Sequence, residues 1–206
     1  MRKLALSYAP ANRRAALEAL FALDAALGQV LRTTREPMVG QMRLAWWREA
    51  LAALDTAPAP AEPVLQALVA EVLPRGVSGT DLGVLADGWE PLLGDLDHAA
   101  IDAHAEKRGA WLFTLAARLL GAPEIDRLAA AGRQWALADL AANLNDSALA
   151  AAVRQRALAA AGAATAPFSR AARPLAALAL VAAREASGTV KVSAVFRLLW
   201  LRATGR

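Results

Sequence analysis

TTREPMVGQMRLAWWREALAAL, Thr33 to Leu54, repeats its apolar residues at three and four positions rather than at two. At 100° per residue, Gly40, Leu44, Trp47, Leu51 and Leu54 group on one side. Val39, Met42, Trp46 and Ala53 group on another. That spacing suits a helix opened by Pro37, whose missing N–H costs nothing at a first helical position. Both indoles are then expected to face packing partners, from adjacent sectors of a helix buried over about half its circumference. Arg43 falls between the two apolar sides, and a guanidinium held among apolar groups needs acceptors. Glu36, two turns earlier with Gly40 leaving room between, is one acceptor; Asp24 on the preceding helix is the other if the two helices run antiparallel. The alternative is that Arg43 extends along a shielded stem to the end of the bundle. The expectation is a buried, paired Arg43 with a structural role.

The same periodicity extends outward along the chain. Helices are expected near 11–31, 37–54, 63–73, 80–93, 98–120, 124–145, 147–161, 170–186 and 191–203, each bounded by proline or glycine. DTAPAPAEP, Asp55 to Pro63, and LPRGVSG, Leu73 to Gly79, read as connectors. With no sustained alternation of β-branched residues and no fixed-period repeat, the fold class is all-α, a compact helical bundle forming one domain over 1–206. Alanine and leucine supply most of a 57% hydrophobic fraction, while aromatics are only 5%.

Composition excludes several functions. The 23 basic against 19 acidic residues give a net charge of +4, spread along the chain rather than gathered into a stripe, so no nucleic-acid partner is expected. With no cysteine and only His98 and His104, neither a thiolate nor a histidine-rich metal centre can form, and a reducing, cytoplasmic compartment is compatible. Pro10, Arg13 and Arg14 interrupt the N-terminus before a signal-peptide core can form, so it is expected to be retained. The longest uncharged apolar run, ALAAAGAATAPFS before Arg170, falls short of a spanning helix.

Two further polar sets sit on apolar faces. In Ala11 to Arg32, Asp24 falls inside the stripe of Leu17, Leu20, Phe21, Leu27 and Leu31, so a carboxylate points inward. In the helix that follows Pro123, Asp139, Asn143 and Asp146 continue the face of Ile125, Leu128, Gly132 and Trp135. Three oxygen-bearing side chains in line could hold a hard cation; the other reading is a frayed helix end turning into solvent.

The runs SYAPANRRAALEALFALDAALGQVLRTTREPMVGQMRLAWWREAL, IDAHAEKRGAWLFTLAARLLG and AAAGRQWALADL resemble the squalene/phytoene synthases, in particular their short divergent members, over most of Ser7 to Leu140. The Arg-Leu-x-Trp-Trp run is the most specific piece. The resemblance implies an all-α isoprenoid-synthase fold with a central pocket for prenyl diphosphates. It also implies, in active members, head-to-head coupling with Mg²⁺ held by two aspartate-rich motifs. Here Gly28, Gln29 and Arg32 stand where the first motif's aspartates belong, with Asp24 one turn early. The second motif is reduced to Asp139, Asn143 and an Asn-Asp-Ser run, with no Arg-Tyr-x-Pro segment after it; the single tyrosine is Tyr8.

Mg²⁺ at a diphosphate needs carboxylate oxygens at about 2.0–2.1 Å, and without it the leaving group loses its Lewis acid. Arg32 would repel the ion and Gly28 supplies no ligand. The expected polar set of the pocket is therefore Asp24, Gly28, Arg32, Glu36, Arg43, Asp139, Asn143 and Asp146, with no catalytic residue and no cofactor assigned. Mg²⁺ enters only under the reading in which Asp24, Asp139, Asn143 and Asp146 act in an altered geometry, with Asp139, Asn143 and Asp146 as its candidate ligands. Divergent relatives with this degenerate pattern include squalene/phytoene-synthase-like assembly factors of respiratory complex I. That resemblance implies a non-catalytic protein at a membrane surface, with an isoprenoid or lipid ligand and a protein partner as its candidate contacts. In the C-terminal segment 190–206, Val192, Val195, Phe196, Leu199 and Trp200 line up beside Lys191, Arg197, Arg202 and Arg206. This is the pattern of an interfacial helix on anionic lipid, and equally of a last core helix with a solvated edge. Three functions remain open: an assembly or scaffolding factor, a prenyl transferase or prenyl-lipid binder with an altered metal site, and a plain helical interaction module.

Overall fold

A computed structural model describes residues 6–123, 125–160 and 168–188. Among them every regular element is helical. The order is α1 (Ala11–Thr33), α2 (Pro37–Ala53), α3 (Pro63–Glu71), α4 (Gly79–Trp89), α5 (His98–His104), α6 (Trp111–Leu120), α7 (Ile125–Asn143), α8 (Ser147–Ala159) and α9 (Arg173–Ala186). Helix α4 tightens into a 3₁₀ turn over Glu90–Leu93, and a second 3₁₀ turn covers Leu73–Arg75. The expected continuous helix over 98–120 is instead α5 and α6 joined without a break by a π-helical turn, Ala105–Ala110. The segment expected as a helix over 191–203 lies outside the described residues.

Local chemistry sets the helix starts. Pro37 and Pro63 open α2 and α3, and the Glu62 carboxylate accepts from Val64 N at 3.2 Å. Ser78 and Asp81 form a reciprocal cap on α4. The Asp55 carboxylate also accepts from Gly79 N at 2.6 Å and Thr80 N at 3.0 Å. These amide donors, Gly79 first, hold Asp55 below the usual carboxylate range. Asp97 caps α5 and Asp146 caps α8.

Helix α1 buries Leu17, Leu20, Phe21, Leu23 and Leu27 against α3, α6 and α4. Helix α7 packs on the π turn and on α6, α8 and α9. Where the π turn meets α7 the two backbones touch through glycine. A Cβ on Gly132 would stand 2.2 Å from Gly109 O, and one on Gly109 would stand 2.4 Å from Gly132 O. Both obstacles are backbone, so neither can rotate away. Gly132→Ala is expected to force the helices apart and cost about 1–3 kcal/mol or more, seen as a lowered urea midpoint. An unchanged midpoint would show the crossing to be looser than described.

Helix α2 corrects the expectation for the tryptophan pair. Its inner side, with Gly40, Leu44 and Leu51 buried, packs on α4, and a Cβ on Gly40 would meet Leu93 Cδ2 at 2.6 Å. Trp47 is half-buried against the core, but Met42 and Trp46 are 68% and 48% exposed. The second apolar side was expected to pack; among the described residues no element covers it.

Candidate functional site

Among the described residues the buried charged side chains, Asp24 and Arg108, meet where α1, the π turn and α7 converge, with the half-buried Asp139 beside them. Asp24 on α1 is 1% exposed and Arg108 on the π turn 3%. Arg108 Nε donates to Asp24 Oδ1 at 2.7 Å and Nη2 to Oδ2 at 3.1 Å, a bidentate pair. Its Nη1 lies 2.8 Å from Asp139 Oδ2 on α7. One guanidinium therefore joins two carboxylates on two helices. The ring of Trp89 lies 4.1 Å from its central carbon and that of Trp135 4.5 Å. These cation–π contacts suit a delocalised, weakly hydrated cation.

His104 completes the cluster. Its Nδ1–H donates to Gly88 O at 2.6 Å, leaving Nε2 to accept from Arg108 Nη1 at 3.3 Å. Burial first, and then the Arg108 charge, push the imidazole down to about 3, so it is neutral at ordinary pH. Arg108 itself is held above its ordinary value by Asp24 and Asp139, against the opposing effect of burial. Gly88 lets the π turn approach: a Cβ there would stand 2.5 Å from Arg108 N.

Beside this cluster lies a cavity of about 720 Å³. Of the residues expected to form its polar set, Asp24, Gly28, Arg32, Asp139 and Asn143 line it. Leu31, Leu92, Leu96 and Leu144 supply apolar wall. Gly28 has a steric role, since a Cβ there would meet Trp89 Cη2 at 2.8 Å. Arg32 is exposed, donating to Gln29 Oε1 at 3.0 Å and Ala25 O at 3.4 Å.

Three expected residues lie elsewhere. Arg43 is neither buried nor paired with Glu36 or Asp24. It is exposed, and its Nη1 donates to Thr33 Oγ1 at 3.0 Å at the end of α1 and to Thr34 Oγ1 at 2.9 Å just beyond it. Glu36 is the exposed residue preceding α2 and makes no side-chain cap. Asp146 accepts from Ala148 N and Leu149 N at the start of α8. Asp146 is thus drawn away to cap α8, while Asn143 Nδ2 donates to Asp139 O at 2.7 Å and the Asp139 carboxylate faces Arg108.

The residues present do not fit the Mg²⁺ that the resemblance implies. Both carboxylates at the cavity, Asp24 and Asp139, are engaged by a fixed cation, and Arg32 adds a second positive charge. Among the described residues no group of three or more His, Asp or Glu side chains could hold a metal. Arg108, His104 and Trp89 are the central residues that sequence reasoning missed. A signal existed: Ile101, His104, Ala105, Arg108 and Leu112 recur at three and four along one buried face.

No helix among the described residues is long and apolar enough to cross a membrane. No curated protein and no solved structure matches the chain. A family model described as squalene/phytoene synthase matches residues 2–144, more than half the length. The match spans α1 to α7, including every residue of the Asp24–Arg108–Asp139 cluster, in an all-α architecture of the isoprenoid-synthase type. The chain belongs to the squalene/phytoene synthase family, whose enzymes are prenyltransferases.

Proposed function

We propose that this chain is a catalytically degenerate member of its family that serves as an assembly or scaffolding factor at a membrane surface. The observation that carries the first part is Arg108. Its guanidinium holds both cavity carboxylates and stands against a divalent cation there, so ionisation of a prenyl diphosphate lacks its Lewis acid. The scaffolding part draws on the intact helical frame built around that ion pair, on the family's divergent assembly factors, and on the basic apolar pattern of 190–206.

Purified protein with Mg²⁺ and farnesyl or geranylgeranyl diphosphate is expected to yield no coupled product above a no-protein control, by mass spectrometry of the extracted lipids. Squalene, phytoene or a cyclopropyl diphosphate above that control would overturn the reading. Gly28→Asp with Arg32→Asp is expected to leave the result unchanged, because Arg108 still holds Asp24 and Asp139.

A second reading, a binder of a prenyl or other lipid chain, is favoured by the cavity itself. It is open and partly leucine-lined, and Trp89, which lines it, has a buried Nε1 without an acceptor among the described residues. Saturable binding of a prenyl alcohol that quenches tryptophan fluorescence, lost in Leu144→Arg, would favour it over the scaffold alone.

A further inference from the structure

The outward ridge of α2 has no role in the cavity and no cover among the described residues. Met38, Val39, Met42 and Trp46 are 72%, 43%, 68% and 48% exposed. Among the described residues they are four of the six large exposed hydrophobic residues, so the exposure there is concentrated rather than scattered. Met38, Met42 and Trp46 follow at four-residue intervals with Val39 beside them, a ridge about 12 Å long. Around its N-terminal end stand Arg35 and Arg43, with Arg32 in the last turn of α1, its guanidinium turned back to Gln29 and Ala25; all three are exposed and none meets a carboxylate among the described residues. Against them stand Glu36 at the same end and Glu49 one turn beyond Trp46, both exposed. The basic excess is thus at the end of the ridge nearest the connector, where Arg32 also lines the cavity.

We propose that this ridge is where the chain docks on an anionic lipid surface. Met38, Val39, Met42 and Trp46 enter the headgroup boundary and Arg32, Arg35 and Arg43 meet lipid phosphates. A convex ridge of apolar side chains with an amphipathic indole and a basic collar is the interfacial pattern. A second copy of the chain is the poorer occupant, because four side chains on one helix cover far less than the roughly 800 Å² per partner of a stable interface. The inference rests on the membrane-surface part of the proposed function and assigns it to α2 rather than to 190–206.

The test is co-sedimentation of the full-length chain with vesicles of phosphatidylcholine alone or with phosphatidylglycerol added. Binding is expected to the anionic vesicles only and to weaken with salt. Met42→Glu with Trp46→Glu, and separately Arg35→Gln with Arg43→Gln, should each weaken it about tenfold or more. These side chains are exposed, so circular dichroism and the thermal midpoint should stay at the parent values. Equal binding by both double variants would overturn the assignment to α2 while leaving a membrane role in place. In that case a full-length Phe196→Glu, Trp200→Glu chain should lose binding instead. Equal binding of the parent to neutral vesicles would overturn the anionic docking, and no binding to either kind would overturn this inference and the membrane reading together. A protein groove as the true occupant would appear as that last result.

Discussion

Arg108→Ala is expected to destabilise the folded chain by about 3–5 kcal/mol, the typical cost of removing one member of a buried ion pair. The loss has several sources acting together. Asp24 is 1% exposed, so its carboxylate would keep its burial and lose both hydrogen bonds to the guanidinium. Asp139 would lose its partner as well, but its side chain is 40% exposed and water can replace it. Trp89 and Trp135 would flank a void where the guanidinium had been. The two carboxylates therefore predict a graded result: Asp24→Ala should cost several kcal/mol, and Asp139→Ala under about 1 kcal/mol. Asp24→Leu combined with Arg108→Met should recover most of the loss, since an apolar pair of similar volume carries no desolvation cost. Chemical denaturation of the four variants measures all of this. A loss below about 1 kcal/mol for Arg108→Ala would mean that the pair is not buried as described.

That cluster also shows where sequence periodicity ends. The helices and their starts were legible because the signals are local: Pro37, Pro63 and Ser78 act within one turn. The inward direction of Asp24 was legible too, since its neighbours at three and four are leucine and phenylalanine. Its partner was not. Arg108 lies 84 residues away, on a π turn whose extra residue shifts the helical register, and Lys107 beside it offers the same charge to a reader of the sequence. Arg43 was the nearer candidate in sequence and the wrong one. It carries the right chemistry on a helix whose second apolar side has no covering element among the described residues, and a shared side in the sequence says nothing of whether anything packs on it. Trp46 was misread for the same reason. The cavity was open to partial inference: Gly28, Arg32 and Asp139 could be placed by family register, whereas the sandwich of Arg108 between Trp89 and Trp135 depends on three separate elements.

Acid is expected to weaken the same cluster well before carboxylates in general titrate, and His104 is the cause. The buried ring has no room for a second proton, because Nδ1–H already donates to Gly88 O and Nε2 faces the Arg108 cation. Folding holds the imidazole at about 3 against 6.5 for the free side chain, by burial and then by the Arg108 charge, with Gly88 O and Asp24 opposing them. Between those two values the unfolded chain binds a proton that the folded chain refuses. Stability is therefore fully present above pH 6.5 and falls as pH drops through the window, by about 1.4 kcal/mol per unit. From pH 6.5 to 5 the loss is about 2 kcal/mol, which for a chain of this size is a fall of roughly 4–8 °C in thermal midpoint. His104→Gln removes the titrating ring and should flatten the profile over that interval, whatever it does to stability at pH 7. The exposed His98 provides the control, and His98→Gln should retain the parental slope. An unchanged slope in His104→Gln would place the acid sensitivity elsewhere. A flattened one would tie the pH response to the neutral imidazole that accepts from Arg108 and keeps its guanidinium aimed at Asp139, one of the contacts between the π turn and α7.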